Sequence, residues 1–164
     1  MSSKLNCKSP NTVNSHLQVI VDYLGLDATE AVQLKYRKPA EFEPEVDNCH
    51  FNCWVAWQSV GGDIQHGWIL SQDFLNKFSE AIFHSVLKLP SGEFSDITPR
   101  KDSEKRLLFI PDHQRQIVLT QYNNLPAIRS YDNVRLKESV LLTGLSEIVV
   151  IPQSDFAKRH GLLC

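Results

Sequence analysis

Ala81-Ile-Phe-His-Ser-Val-Leu-Lys-Leu89, then Pro90-Ser91-Gly92, then Glu93-Phe-Ser-Asp-Ile-Thr98 closed by Pro99, reads as a β-hairpin. The first run is rich in β-branched and aromatic residues and meets no breaker before Pro90. Proline presets φ at the first turn position and glycine accepts the left-handed conformation that makes a bulge, so the loop has three residues. That choice fixes the register. Leu89 faces Glu93, Val86 faces Asp96, and alternation puts His84, Val86 and Asp96 on one face. His84 and Asp96 become diagonal neighbours within hydrogen-bond reach. A two-residue loop, Ser91-Gly92, would send them to opposite faces.

An imidazole oriented by a carboxylate is equipped to draw a proton from a nucleophile. The candidate nucleophile lies upstream, in a helix expected over Cys49–Val60, with Asp47 or Asn48 as N-cap and Gly61-Gly62 as its stop. Cys49, Cys53, Ala56, Trp57 and Val60 share one face at helical spacing, and that face is expected to dock on a sheet. A thiol reacts as thiolate, and the unpaired N–H groups at a helix N-terminus favour the negative charge. Cys49 stands in the first turn, where the effect is largest, and Cys53 one turn further in, where it has faded. Cys49 is therefore the better nucleophile. The plainer account is that both are small core residues, the commonest fate of free cysteine.

The rest of the chain supplies a scaffold. Residues 1–11 are polar and expected to be loose. Leu17, Ile20, Val21 and Leu24 recur at helical spacing, with Thr12 or Asn14 as cap and Gly25 as stop. Strands are expected at 32–36, 67–70, 106–110, 116–121 and 147–151, with a helical turn at 73–79 and a last short helix at 134–142. The segment 39–45 reads as an acidic linker and 123–126 as a turn. Two or three helices with five or six mostly antiparallel strands make an α+β domain. One domain spans 1–164, with 47–99 as the catalytic core, since 164 residues suit a single core.

Lys and Arg number 17 against 19 Asp and Glu, a net charge of −2 without a long block of either sign, so nucleic acid is not expected as a partner. No apolar run approaches the ~20 residues of a membrane span, and the first residues lack a signal-peptide stretch. The cysteines at 7, 49, 53 and 164 form no disulfide framework. Together these point to the reducing cytoplasm.

A Cys at a helix start, a His on a strand and an Asp on the next strand resemble the papain-like thiol hydrolase superfamily. The Gly-bearing turn and the Asp-Ile-Thr-Pro ending after His84 are most similar to its transglutaminase-like branch. Asn-Cys-His-Phe-Asn at 48–52, Gly67-Trp68 and Glu80 ahead of His84 are also similar to small bacterial domains. The resemblance spans about 47–99 and implies a papain-like fold and a cysteine protease-like activity. The implied chemistry is acyl transfer at an amide or ester of a peptide, protein or small molecule, through a thioester on Cys49 of a Cys49-His84-Asp96 triad. It implies no cofactor.

Two features depart from the family: Asn48 stands where transglutaminase-like proteins usually have Gly, and no Gln precedes the Cys closely. The Cys49 N–H with the Asn48 or Asn52 side chain would supply an oxyanion hole. Trp68 would line the cleft with Trp54 and Trp57, although core packing is the commoner use of tryptophan. Glu80 would place a charge near the site, or simply sit on a strand edge. Two other readings compete: a zinc site using Cys49, Cys53 and the histidines at 50, 66 and 84, and a non-catalytic binding module. Against zinc, adjacent Cys49 and His50 point about 100° apart on a helix.

Overall fold

The stripe Leu17, Ile20, Val21 and Leu24 is fully buried on helix α1 (Ser15–Leu24). The Asn14 carboxamide oxygen accepts from the N–H groups of His16 and Leu17, each at 3.1 Å, and Gly25 at φ 68° ends the helix. Each of these side chains contributes roughly 2 kcal/mol by leaving water, and together they cover one face of the main sheet.

That sheet is built from β1 (Val32–Lys35), β2 (Asp63–Asp73), β3 (Phe78–Lys88), β4 (Phe94–Ser95), β5 (Arg106–Pro111), β8 (Val134–Lys137) and β9 (Val140–Leu141). The computed structural model describes residues 4–102, 104–142 and 148–162. Strand order is β1-β5-β2-β3-β8-β9, with β4 also on β3, and every strand pair is antiparallel. A second sheet, β10-β7-β6, is made of β6 (Val118–Tyr122), β7 (Leu125–Tyr131) and β10 (Ile148–Pro152). With α2 (Cys49–Val60) and the short α3 (Asp155–Arg159), the architecture is α+β with mostly antiparallel strands and few helices. No helix among the described residues is long and apolar enough to cross a membrane.

The main sheet curls. Asp96, just past β4, forms a single parallel bridge with Tyr36, just past β1, and the Arg37 N–H donates to the Asp96 carbonyl at 2.8 Å. The concave side holds Leu34, Ile69, Val86, Leu107 and Phe109. The other side packs Trp68, Leu70, Ala81, Phe83, Leu108 and Ile110 against α1. Helix α2 lies between the two sheets. Its Cys53 and Ala56 meet Leu87 and Ile97, while Phe51 and Val55 meet Ile128 of β7 and Phe156 of α3.

The 81–99 hairpin has the register its three-residue loop dictates. Leu89 N–H donates to Glu93 O at 2.9 Å, Lys88 pairs with Phe94 and Leu87 with Ser95, and Gly92 takes φ 86°. Several other expectations are corrected. The segment 134–142 is the β8–β9 hairpin rather than a helix, and 73–79 holds the turn 74–77 and the flanking strand ends of a hairpin of two eleven-residue strands. The strands exceed the expected five or six, because 123–126 turns directly into β7 and 134–142 supplies β8 and β9; the expected strand 67–70 is the middle of the longer β2. Trp57 and Val60 are exposed, 47% and 56%, so the stripe drawn through Cys49 and Cys53 does not continue along the helix. From Asn6 to Ser9 the chain is tied down: Lys8 exchanges two backbone hydrogen bonds with Gln72, and Asn6 N–H donates to the Asp73 carboxylate. Glu147 and Cys164 lie outside the described residues.

Candidate active site

Cys49 is the first residue of α2, with Asn48 in the N-cap position. The Asn48 side chain makes no cap hydrogen bond; it turns back and donates to Glu45. The N–H groups of the first turn therefore point past Cys49 without a side-chain acceptor, which is how a helix start favours an anion. Asn52 holds this turn in place. Its oxygen accepts from Glu45 N–H at 2.9 Å, and its amide donates to Glu45 O at 2.8 Å and to Thr98 Oγ at 3.2 Å. Asn52 is fully buried and both ends of its side chain are used, so it is not the oxyanion donor its position suggested.

On β3, Val86 and His84 share the concave face. His84 is 4% exposed and Asp96 1% exposed. The His84 Nε2 and Asp96 Oδ1 stand 3.0 Å apart, and Asp96 Oδ1 also accepts from Thr98 N–H at 3.3 Å. Nε2 being taken, Nδ1 is the ring nitrogen left for sulfur, and His84 and Cys49 line the same cleft and interact electrostatically. Cys49 itself is 9% exposed and opens on a cleft of about 400 Å³. The cleft is lined by Asp47, Asn48, His50, Ile82, Phe83, Thr98, Arg100, Ser130, Tyr131 and Asn133. It sits where one edge of β3 has no strand beside it, between its pairing with β8 at 78–81 and with β4 at 87–88, while β2 pairs along the other edge.

Burial alone would push the Cys49 thiol up, but electrostatic attraction to the His50 and His84 rings brings it well below the usual thiol range. Burial likewise opposes charge on His84, yet Cys49 and Asp96 raise it to about 10. The favoured form at neutral pH is a thiolate beside an imidazolium. Cys53, sealed and facing the charges of Cys49 and Asp96, is pushed well above the usual range and stays an inert thiol.

The pair gives stability a characteristic pH profile. Below the usual imidazole value of 6.5, unfolding returns a proton to sulfur only, so stability rises with pH. From there to the usual thiol value of 9.0, unfolding binds one proton at sulfur and frees one from His84, and the contribution is level. Above it only the imidazolium proton is freed, so stability falls as pH approaches about 10. Urea midpoints of the wild type minus those of a Cys49→Ala, His84→Ala double variant, followed from pH 5 to 10, should trace this rise, plateau and fall. A flat difference contradicts the ion pair.

No protein-family model matches this chain, and comparison with curated proteins and with solved structures gives no match. The site is therefore read from its own geometry.

The structure brings Cys49, His84 and Asp96 together and separates them from other residues singled out in the sequence. Trp68 is fully buried on the α1 side of the sheet, where its Nε1 donates to Asp112 Oδ2 at 2.9 Å; it packs the core and does not line the cleft. Glu80 is paired across strands with Arg135 at 2.6 Å. Cys53 lies among Ala56, Leu87 and Ile97. Among the described residues no three His, Cys, Asp or Glu side chains are grouped as a metal site requires.

Other residues at the cleft carried no sequence signal for thiol chemistry. His50 Nδ1 lies 3.6 Å from Cys49 Sγ and 2.6 Å from Ser85 Oγ. Ser130 and Tyr131 arrive from the second sheet, and Arg100 lines the cleft while bonded to Asp102.

Proposed function

We propose that this protein is a thiol-dependent acyl-transfer enzyme of papain-like arrangement, acting on an amide or ester. The single observation that carries the reading is a buried sulfur at a helix N-terminus, sharing one cleft with an imidazole whose Nε2 is 3.0 Å from a buried carboxylate. His84 takes the thiol proton. The Cys49 sulfur then adds to the substrate carbonyl carbon, and first-turn N–H groups of α2 face the developing oxyanion. As the tetrahedral intermediate collapses, His84 returns its proton to the departing amine or alcohol, leaving a thioester on Cys49. A water, or an acceptor amine or alcohol, surrenders a proton to His84 as it attacks that thioester, and the acyl group leaves with it. Asp96 keeps the ring in the required orientation and stabilises its charged form.

The test is mass spectrometry after exposure to a broad thiol probe, with the pH dependence of labelling read at each cysteine. Cys49 is expected to label ahead of Cys7 and Cys53 and to titrate well below the usual thiol range. A Cys49 that titrates like a small-molecule thiol ends the proposal.

A further inference from the structure

Of the groups around the sulfur, one imidazole has no part in the mechanism above. His50 follows the nucleophile directly, and on a helix its side chain should diverge from it. The ring nevertheless turns its nearer nitrogen back, and that nitrogen is shared between sulfur at 3.6 Å and Ser85 Oγ at 2.6 Å. The far nitrogen, Nε2, is 3.2 Å from Ser130 Oγ on β7. Ser85 Oγ in turn lies 2.8 Å from His66 Nδ1 on β2. Ser85 and Ser130 are almost wholly buried, 0% and 1% exposed, so these contacts have little competition from bulk water. Phe83 packs on the His50 ring with centroids 5.7 Å apart and steadies it.

The protons can be assigned because each hydroxyl has only one to give. A thiolate accepts and never donates, so the nitrogen facing it must carry a hydrogen. His50 Nδ1–H then points to Cys49 Sγ and Ser85 Oγ together. Ser85 has its own proton left for His66 Nδ1, and His66 is held neutral, near 4, by burial and by His50. Ser130 gives its proton to His50 Nε2 when the ring is neutral and accepts from it when the ring is charged. The contacts Ser130–His50, His50–Ser85 and Ser85–His66 each have one donor and one acceptor in this arrangement. The reverse orientation, with Ser85 donating to His50, would aim a nitrogen lone pair at the anion.

Resting on the reading of Cys49 as a thiolate nucleophile, we infer that His50 is a second hydrogen-bond donor to the reacting sulfur, its Nδ1–H tautomer set by Ser85 and Ser130. His84 exchanges the proton of the reaction; His50 keeps its own and holds the sulfur as an anion between turnovers. The charged and titratable groups around it are Cys49, His66 and His84, with Asp47, Arg100 and Tyr131 lining the same cleft.

The test reads the pH midpoint of Cys49 alkylation by iodoacetamide, residue by residue, in four proteins. His50→Phe keeps a ring on Phe83 but removes the N–H, and its midpoint should rise by about one pH unit, the size of a hydrogen bond to a charged group. His50→Asn places an amide N–H near the δ position and should stay within about half a unit of wild type. Ser130→Ala frees the tautomer and should shift the midpoint upward by a smaller amount. If His50→Phe does not fold, the other two decide. Wild-type midpoints in His50→Phe and Ser130→Ala overturn the inference, as does an equal rise in His50→Asn and His50→Phe. If wild-type Cys49 titrates in the ordinary thiol range, the nucleophile reading falls and this inference with it. A depressed Cys49 midpoint indifferent to His50 removes only the inference.

Discussion

Cys49→Ala is expected to abolish acylation of the protein by an activated ester such as p-nitrophenyl acetate, and His84→Ala to slow it by about 10²–10⁴-fold, the usual worth of a positioned acid–base group. The cause is the shared proton. With His84 in place, the sulfur is an anion at neutral pH and its proton is stored on a ring that can return it to the leaving group. Without the ring, both storage and return are lost, although His50 still faces the sulfur. The two losses separate experimentally. Alkylation needs only the anion and acylation with turnover needs the proton as well, so His84→Ala should depress turnover more than alkylation. Asp96→Asn should fall between wild type and His84→Ala, because Nε2 keeps a hydrogen-bond partner but loses the charge that raises the ring's affinity for its proton. Intact-mass measurement of the acyl-enzyme checks all three, and acylation of Cys49→Ala at the wild-type rate would place the nucleophile elsewhere.

Gly67→Ala is expected to destabilise the fold by about 3 kcal/mol, the upper part of what overpacking costs. Gly67 sits on β2 directly opposite His84. A Cβ there would stand 2.3 Å from the Ile110 carbonyl oxygen and 2.5 Å from the Phe109 ring. The ring has no room to retreat, being fully buried with Leu34, Ile69, Val86 and Leu107. The carbonyl belongs to β5, which pairs with β2 over 67–70. Either the ladder opens or the Phe109 ring is forced toward His84, so loss of stability and loss of Cys49 reactivity should appear together. A drop in the urea midpoint at unchanged m-value is the readout, and a Gly67→Ala protein as stable as wild type would mean that β2 and β5 are less tightly held than described.

The site was legible in the sequence to the extent that local rules govern it. The 90–92 loop chemistry fixed the register that sets His84 beside Asp96, and helix-start polarity separated Cys49 from Cys53. What escaped depended on tertiary placement. Val134 to Leu142 carries a helix-like apolar spacing, and its two-residue turn at Glu138 and Ser139, both at positive φ, lacks the Asn or Gly that normally announces such a turn. Asn123-Asn124 does announce one and it joins β6 to β7, but the other edge of β7 is paired to a strand further along the chain. Helix α2 buries residues on two sides, so one stripe could not describe it. Trp68 and Asn52 have the residue types of a binding site, and only burial and hydrogen bonding reveal them as structural. His50 was weighed only as a metal ligand, because the divergence of adjacent helical side chains hides a ring that folds back through its nearer nitrogen.

The carboxylate that steadies His84 is carried by the residue whose backbone stitches the end of β1 to the segment after β4. Arming and folding are thus one event. A chain emerging from synthesis, or one partly opened by heat, has Asp96 adrift and carries an ordinary, slow thiol at position 49. On the reading proposed above, the sulfur is armed only when the curl has shut, and by then it lines a cleft rather than an open surface.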